Sequence, residues 1–270
     1  MEKQVKRATV ISFLLLFSGL TVALTYASGP TFSDLEDQMD TLAKTCFLVI
    51  TPISGNQIIT GSGFLVISQS YIFGITCNHC VPTQTPLASI NVKGGKREVI
   101  QGVVITRDAI NDVAIIGLGD VKKEPVIKQY GLSLFDSTDT GKSEIRYGTG
   151  LIMMGFPLNI GTQEPDTGSL IPVGRIGIVA YHRPKSATFL IDGFASYGNS
   201  GSPVVSVQTN HLLGMALGYQ NDKIKLFDEN RNNVAALPYN SGLAIAVTAK
   251  IISSLIKAAC DSLNSTLKKK

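Results

Sequence analysis

Gly198-Asn199-Ser200-Gly201-Ser202-Pro203 sets one serine between two glycines. Such a run can be no more than a tight turn, because glycine supplies backbone conformations that other residues avoid. It can also lift one hydroxyl onto a sharp bend, with neighbouring backbone amides turned toward a single point. A serine hydroxyl is a poor nucleophile at neutral pH, so the second reading needs a base and a carboxylate elsewhere in the chain. Both have candidates upstream. Thr76-Cys77-Asn78-His79-Cys80-Val81 closes an apolar segment and holds the first of 3 histidines. In the run from Arg107 to Ile116, Asp112 stands at the mouth of an apolar strand, where capping a turn is the ordinary role. Each motif alone is weak. Histidine, aspartate and serine in that order, each at an element edge, are the parts of a nucleophilic triad: His79 as base, Asp112 as orienting carboxylate, Ser200 as nucleophile.

Around these motifs the chain predicts β structure. Cys46–Ile50, Gln57–Ile67, Tyr71–Thr76, Ser89–Lys93, Lys96–Thr106 and Val113–Leu118 are apolar or alternating segments bounded by turn residues, with Gly94-Gly95 as a hairpin signal. Residues 119–146 are more polar, and Asp136 to Lys142 is the predicted linker. A second group follows: Leu151–Phe156, Gly174–His182, Thr188–Ile191, Pro203–Val207, Leu212–Leu217 and Ser241–Val247. A short helix is predicted ahead of the strands, where Ser33 and Glu36 form a capping box and Leu35, Met39 and Leu42 share a face. A closing helix is predicted from Ile251, Ile252, Leu255, Ile256 and Ala259. The expected fold is all-β, in two units with a helix at each end.

With 44% hydrophobic and 16% charged residues over 270 positions, the chain is neither disordered nor a multipass membrane protein. Its net charge is +4, of which a surplus of two lies in residues 1–27. That leaves no clustered basic face, so no nucleic-acid partner is expected. Lys3, Lys6 and Arg7 precede the uncharged run Ala8–Leu24 and then Thr25-Tyr26-Ala27, the three-part pattern of a secretory signal over residues 1–27. Its alternative is an uncleaved membrane anchor. In both cases the folded part is exported, to the periplasm or the extracellular space. Export makes Cys46, Cys77, Cys80 and Cys260 candidates for disulfides, with three full connectivities open.

With these motifs in place the chain resembles the trypsin-like serine peptidases, and among them the HtrA/Deg-like branch. Gly61-Ser62-Gly63-Phe64-Leu65-Val66 is similar to that branch's glycine-rich strand, and Asn78-His79 with Val81 to its histidine motif. Asp112-Val113-Ala114-Ile115-Ile116 resembles its aspartate strand and assigns the acid to Asp112 rather than Asp108. Gly155-Phe156-Pro157, Gly174 to Val179, Gly198-Asn199-Ser200-Gly201 and Ser241 to Ile245 continue the match in order, over about residues 32–257. The resemblance implies two six-stranded antiparallel β-barrels, residues 32–135 with His79 and Asp112 and residues 145–262 with Ser200, facing each other across a cleft. It implies an oxyanion hole from the backbone amides of Gly198 and Ser200, and a primary pocket walled by Phe194, Ala195 and Leu217, uncharged and shallow. It places Cys46 beside Cys77 and Cys80, so a bridge from Cys46 to one of them is an expectation. The expected activity is that of an exported serine endopeptidase acting through an acyl-enzyme, without cofactor or metal, on polypeptide substrates, unfolded ones among them.

Three departures stand out. Ser202 occupies a position usually held by a second glycine. No cysteine occupies Thr60 or Gly61, where the partner of Cys80 lies in digestive relatives. The chain stops after its last predicted helix, so the PDZ domain of many relatives is expected to be missing.

Other readings were weighed. Cys77-Asn78-His79-Cys80 has the Cys-x-x-Cys spacing of a thiol–disulfide oxidoreductase, but Pro82 and Pro86 follow and no βαβ pattern surrounds it. A metal site on Cys77, His79 and Cys80 lacks a second ligand pair, since His182 and His211 lie in unrelated turns. A catalytically inactive binding scaffold on the same fold is the remaining alternative.

Overall fold

The computed structural model describes residues 32–267 apart from 56, 93–95, 121, 124–144, 158–161, 164–169 and 228–232. The expected signal, the Gly94-Gly95 turn and the expected linker therefore lie outside the described residues. The chain divides into two units, Met1–Glu36 and Asp37–Lys270. Of the first, only Phe32–Glu36 is described, as the opening turn of helix α1 (Phe32–Thr45). Ser33 falls inside that turn rather than ahead of it, so it is not the cap residue of the helix.

The second unit holds all the strands. A seven-stranded antiparallel sheet is ordered β5-β4-β1-β2-β3-β7-β6, built from β1 (Cys46–Pro52), β2 (Ile58–Ser68), β3 (Tyr71–Cys77), β4 (Leu87–Val92), β5 (Lys96–Gln101), β6 (Val103–Asp108) and β7 (Val113–Asp120). Its edge strands β5 and β6 are separated in the chain by one residue, Gly102. The sheet can hold both edges at one residue only by curling round on itself. Gly102 N–H donates to Pro86 O at 2.8 Å and Val104 N–H to Gln84 O at 2.9 Å, joining the β6 edge to the segment before β4. No side chain fits at the bend, since a Cβ on Gly102 would lie 2.2 Å from Ile116 Cγ2. The sequence predicted Lys96–Thr106 as one strand. Counted as one strand bent at Gly102, β5 and β6 restore the six strands expected. Phe47, Phe64, Phe73, Ile75 and Ile115 fill the interior.

The other half is a closed six-stranded barrel, β11-β12-β15-β14-β13-β8. Its strands are β8 (Gly150–Gly155), β11 (Val173–His182), β12 (Thr188–Asp192), β13 (Pro203–Ser206), β14 (Leu212–Phe227) and β15 (Asn233–Thr248), with the short pair β9 (Thr162–Gln163) and β10 (Leu170–Ile171) apart from it. Leu151, Met153, Phe189, Ile191, Val204 and Leu213 are among its packed core. β14 and β15 run well beyond the Leu212–Leu217 and Ser241–Val247 segments expected from sequence. Of the added residues, Gln220–Lys223, Lys225 and Ala235–Tyr239 are exposed, apolar Leu237 and Tyr239 among them, so they carry no burial pattern that a sequence reading could find.

Helix α2 (Ala249–Leu267) follows β15 directly and buries Ile252, Ile256, Ala259 and Cys260, the face the sequence predicted. Its far end reaches the β2–β3 turn, where Asn264 Nδ2 donates to Gln69 Oε1 at 3.0 Å and Cys260 Sγ to Ser68 Oγ at 3.5 Å. Among the described residues, no helix is long and apolar enough to cross a membrane.

Candidate active site

His79 sits in a single 3₁₀ turn, Asn78–Cys80, at the end of β3, and Asp112 stands just ahead of β7. β3 and β7 are paired neighbours, with Cys77 opposite Val113, so the ladder itself brings the two side chains together. Asp112 adopts φ of +55°, a left-handed turn that Asn and Asp tolerate better than most residues. Its Oδ2 lies 2.6 Å from His79 Nδ1, and its Oδ1 accepts the His79 backbone N–H at 2.9 Å. Asn78 N–H donates to the Asp112 carbonyl at 3.1 Å. Imidazole and carboxylate are thus fixed by three bonds, and the Asp112 contact assigns the Nδ1 proton to the shared bond. That hydrogen bond, more than any other influence, pushes the His79 pKa up to about 10. Asp108, the carboxylate the sequence set aside, instead caps the turn by accepting the N–H groups of Ile110 and Asn111, each at 3.0 Å.

Arg107 of β6 holds the segment that follows the histidine. Its Nη1 donates to Asn78 Oδ1 at 3.0 Å and to the Val81 carbonyl, and its Nη2 to the Thr83 carbonyl at 2.7 Å. The sequence reading gave this residue no role. An arginine on an otherwise apolar strand edge, close before Asp112, was the available signal.

Ser200 comes from the other half, on the turn that leads into β13. Gly198 and Gly201 have φ of +89° and +93°, which an L side chain rarely adopts. At Gly201 a Cβ would also lie 1.9 Å from Ser62 O. Ser62, on β2, is the second residue the sequence left without a role. Its Oγ donates to Gly198 O at 2.6 Å and accepts Phe156 N–H at 2.8 Å, while its backbone N–H donates to Ser200 O at 2.8 Å. A buried hydroxyl between Gly61 and Gly63 on an apolar strand was a sign that polar backbone would approach there. Asn199 is fully buried and its Oδ1 accepts Ser196 N–H at 3.0 Å, bracing the same turn from within. The N–H groups of Gly198 and Ser200 donate to no protein acceptor among the described residues. Ser202, the departure noted above, is buried with its hydroxyl over Gly155, where a Cβ would lie 1.9 Å from it. The glycine missing at 202 is answered by a glycine at 155.

Ser200 and His79 face one open cleft of about 580 Å³, lined also by Tyr197, Gly198, Gly218 and Tyr219. The Ser200 hydroxyl does not donate to His79. It donates to the Leu217 carbonyl at 3.0 Å. A protonated imidazole offers no lone pair to a hydroxyl, and the raised His79 pKa favours that form.

Two expectations are corrected. The pocket expected from Phe194, Ala195 and Leu217 is not what lines the cleft. Ala195 is wholly buried in the barrel core, and Phe194 is 53% exposed with Arg175 over its ring. Leu217 contributes its carbonyl, and the edge-to-face rings of Tyr197 and Tyr219, 5.8 Å apart, stand at the cleft instead. The disulfide is not formed either, since all four cysteines are free and buried. Cys46 Sγ donates to the Met154 carbonyl, in the other half of the molecule, at 3.6 Å. Cys80 faces Gly61, where a Cβ would lie 2.5 Å from its sulfur, so its neighbour has no thiol to offer.

Cys77 and Cys80, at 0% and 1% exposure, are closed to the disulfides an oxidoreductase must reach. Burial pushes the Cys77 thiol up, while its hydrogen bond to Cys80 draws Cys80 down. Cys77, His79 and Asp112 do bring ligand atoms within 4.8 Å of one another. Yet the 2.6 Å between Nδ1 and Oδ2 is a hydrogen-bond distance, well short of the roughly 3.3 Å separating two ligands of tetrahedral zinc.

Comparison with known proteins agrees with this architecture. The sequence matches the trypsin-like peptidase domain over residues 61–215. No curated protein matches it. A serine endoprotease from Yersinia pestis is similar in structure, with a TM-score of 0.59 at 14% identity over 85% of this chain and 67% of that one.

Proposed function

We propose, from the premise that this chain belongs to the trypsin-like peptidase family, that it is an exported serine endopeptidase cleaving polypeptides through an acyl-enzyme. The observation that carries the reading is the His79–Asp112 pair, held by three hydrogen bonds on the rim of the cleft that Ser200 also lines. Rotation of the Ser200 side chain away from Leu217 brings its hydroxyl to a neutral His79. The imidazole takes the proton as Oγ attacks the substrate carbonyl carbon, and Asp112 stabilises the imidazolium so formed. The carbonyl oxygen, now anionic, is met by the uncommitted N–H groups of Gly198 and Ser200. His79 then passes its proton to the departing amine, leaving the acyl group on Ser200. A water, deprotonated in turn by His79, hydrolyses that ester and restores the hydroxyl.

The Ser200 bond to Leu217 favours one second reading, a binding scaffold whose serine is turned away for good. A fluorophosphonate probe separates the two. The peptidase reading expects stoichiometric labelling at Ser200, rising as pH is raised through the His79 titration, with none in Ser200→Ala. An intact, folded chain that stays unlabelled across that range overturns it.

A further inference from the structure

An oxyanion is met by two N–H groups aimed at one point, and the peptide planes of the serine turn decide where those groups aim. Asn199 N–H donates to Ser196 O at 3.1 Å, Gly201 N–H to Ala216 O at 2.8 Å and Ser202 N–H to Asn199 O at 2.9 Å. From Gly198 to Gly201 the amides therefore alternate, uncommitted and engaged, among the described residues. Two planes are pinned at both ends, the one joining Gly198 to Asn199 and the one joining Ser200 to Gly201. Ser62 supplies one contact to each. Its Oγ donates to Gly198 O at 2.6 Å, and its backbone N–H donates to Ser200 O at 2.8 Å.

Gly198 does not choose this geometry by itself. Glycine takes φ of +89° about as readily as the opposite sign, so a contact must select it. The Ser62 hydroxyl is placed to do so. It belongs to a wholly buried residue, and Phe156 N–H fills one of its lone pairs at 2.8 Å, which leaves its proton for Gly198 O. Its strand is tied in turn to the one that delivers the histidine. Thr76 Oγ1, on β3 just ahead of His79, donates to Ser62 O at 2.7 Å.

We propose that Ser62 is a positioning residue for the oxyanion hole, its hydroxyl holding the Gly198 carbonyl so that the N–H groups of Gly198 and Ser200 converge. The proposal rests on the peptidase reading, because it assigns a residue to the transition state of that reaction. Without the hydroxyl the Gly198 carbonyl loses its donor, while the open cleft beside Gly198 offers water. A carbonyl left unpaired turns toward water, and glycine sets little steric barrier against the turn. Turning that plane swings the N–H groups on either side of it off the oxyanion. Misplacing such donors costs on the order of hundredfold in rate. The charge they meet develops only in the transition state, so the loss falls on kcat rather than KM. The oxyanion hole of one half is thus set by the other half, through the strand beside the one that carries His79.

The test uses a peptide spanning a cleavage site mapped in reduced, carboxymethylated α-lactalbumin. Its companion is the chloromethyl ketone of the acyl-side residues, isotopically enriched at the ketone carbon. Ser200 Oγ adds to that carbon, His79 Nε2 displaces the chloride, and the NMR shift of the carbon follows ionisation of the hemiketal hydroxyl with pH. Ser62→Ala should lower kcat about hundredfold with KM held within about threefold. Its hemiketal should ionise about 2 pH units higher, the same hundredfold read on the oxyanion itself. Ser62→Cys keeps a weaker donor in the same place and should fall between wild type and Ser62→Ala in both readouts. Ser202→Ala deletes the other buried hydroxyl over Gly155, one without a partner, and should leave the hemiketal unchanged. Wild-type kcat and hemiketal ionisation in Ser62→Ala, or in Ser62→Cys if the alanine variant does not fold, overturn the proposal. So does a loss confined to KM or to melting temperature, or an equal hemiketal shift in Ser202→Ala, which would make the effect a general loosening. Failure of the peptidase reading is seen separately, in wild-type protein that neither cleaves nor takes the fluorophosphonate, and the proposal falls with it.

Discussion

The two halves of the site are held in different ways. The curled sheet delivers His79 and Asp112 already joined, with both carboxylate oxygens and a backbone carbonyl of Asp112 engaged by the histidine turn. The closed barrel delivers Ser200 on a turn that is rigid in its backbone, through two positive-φ glycines and Ser62, but whose reactive side chain is parked on Leu217 by a single bond. On the proposed mechanism the acid–base pair is preorganised and the nucleophile is movable. Catalysis on this plan spends its ordering free energy on the charge-bearing partners and leaves a hydroxyl rotation as the step before chemistry.

If that division holds, the largest loss comes from the movable half. Ser200→Ala should lower kcat by about 10⁶ with an unchanged melting temperature, His79→Ala should cost about as much, and the double variant should add little. Additive losses in steady-state kinetics would show that the two do not act as one unit. Asp112→Asn should lower kcat by roughly 10⁴, because the amide presents the wrong partner to Nδ1. It also removes the main cause of the raised His79 pKa, which should fall from about 10 toward 6.5 by NMR titration. The sign follows for stability. Protonated His79 stabilises the fold fully below pH 6.5, and that contribution is lost as pH rises through about 10. Between those values the wild type should lose melting temperature relative to Asp112→Asn. The acidic limb of the kcat/KM profile should likewise lie above the ordinary histidine value, because only neutral His79 accepts the proton.

Backbone rigidity of the serine turn sets the next effect. Gly201→Ala forces an L residue into φ of +93° against the Ser62 carbonyl, and should cost roughly 3 kcal/mol, about 10 °C in melting temperature by calorimetry. The smallest effect sharpens the other side. Arg107→Ala frees Asn78, Val81 and Thr83 together and should lower kcat by about tenfold, with destabilisation of about 2 kcal/mol in urea titration. Arg107→Lys should recover little, since one ammonium cannot span three acceptors.

Much of this arrangement was legible in the sequence because its requirements are local. A carboxylate at a turn before an apolar strand, a histidine at the end of another and a serine among glycines each announce an exposed position at an element end. The choice of Asp112 over Asp108 came from the family resemblance and not from the residues alone. What escaped depended on contacts distant in sequence. Arg107 and Ser62 act on segments that meet them only after folding, and the burial of Ala195 is decided by barrel closure. The bend at Gly102 looks like any glycine in a strand until Ile116 packs beside it. The long β14–β15 ribbon was missed because a hairpin that packs on no core writes no hydrophobic period. The disulfide expectation failed because Cys46 and Cys77 turn their sulfurs to the Met154 and Ala216 carbonyls of the other half.

Helix α2 has a consequence for timing. It leaves the closed barrel at Thr248, packs against β6 and β7 of the other sheet, and ends hydrogen-bonded to the turn between β2 and β3. It is a clasp across the two halves that contribute His79 and Ser200, and it is the last described element to emerge during synthesis. A nascent chain can complete either sheet before the clasp exists. Until helix α2 docks, the halves meet through contacts such as those of Ser62 with Gly198 and Phe156, without the helix's hold on the β2–β3 turn. In the order of the chain, the helix that clasps the two halves therefore follows every described strand of both.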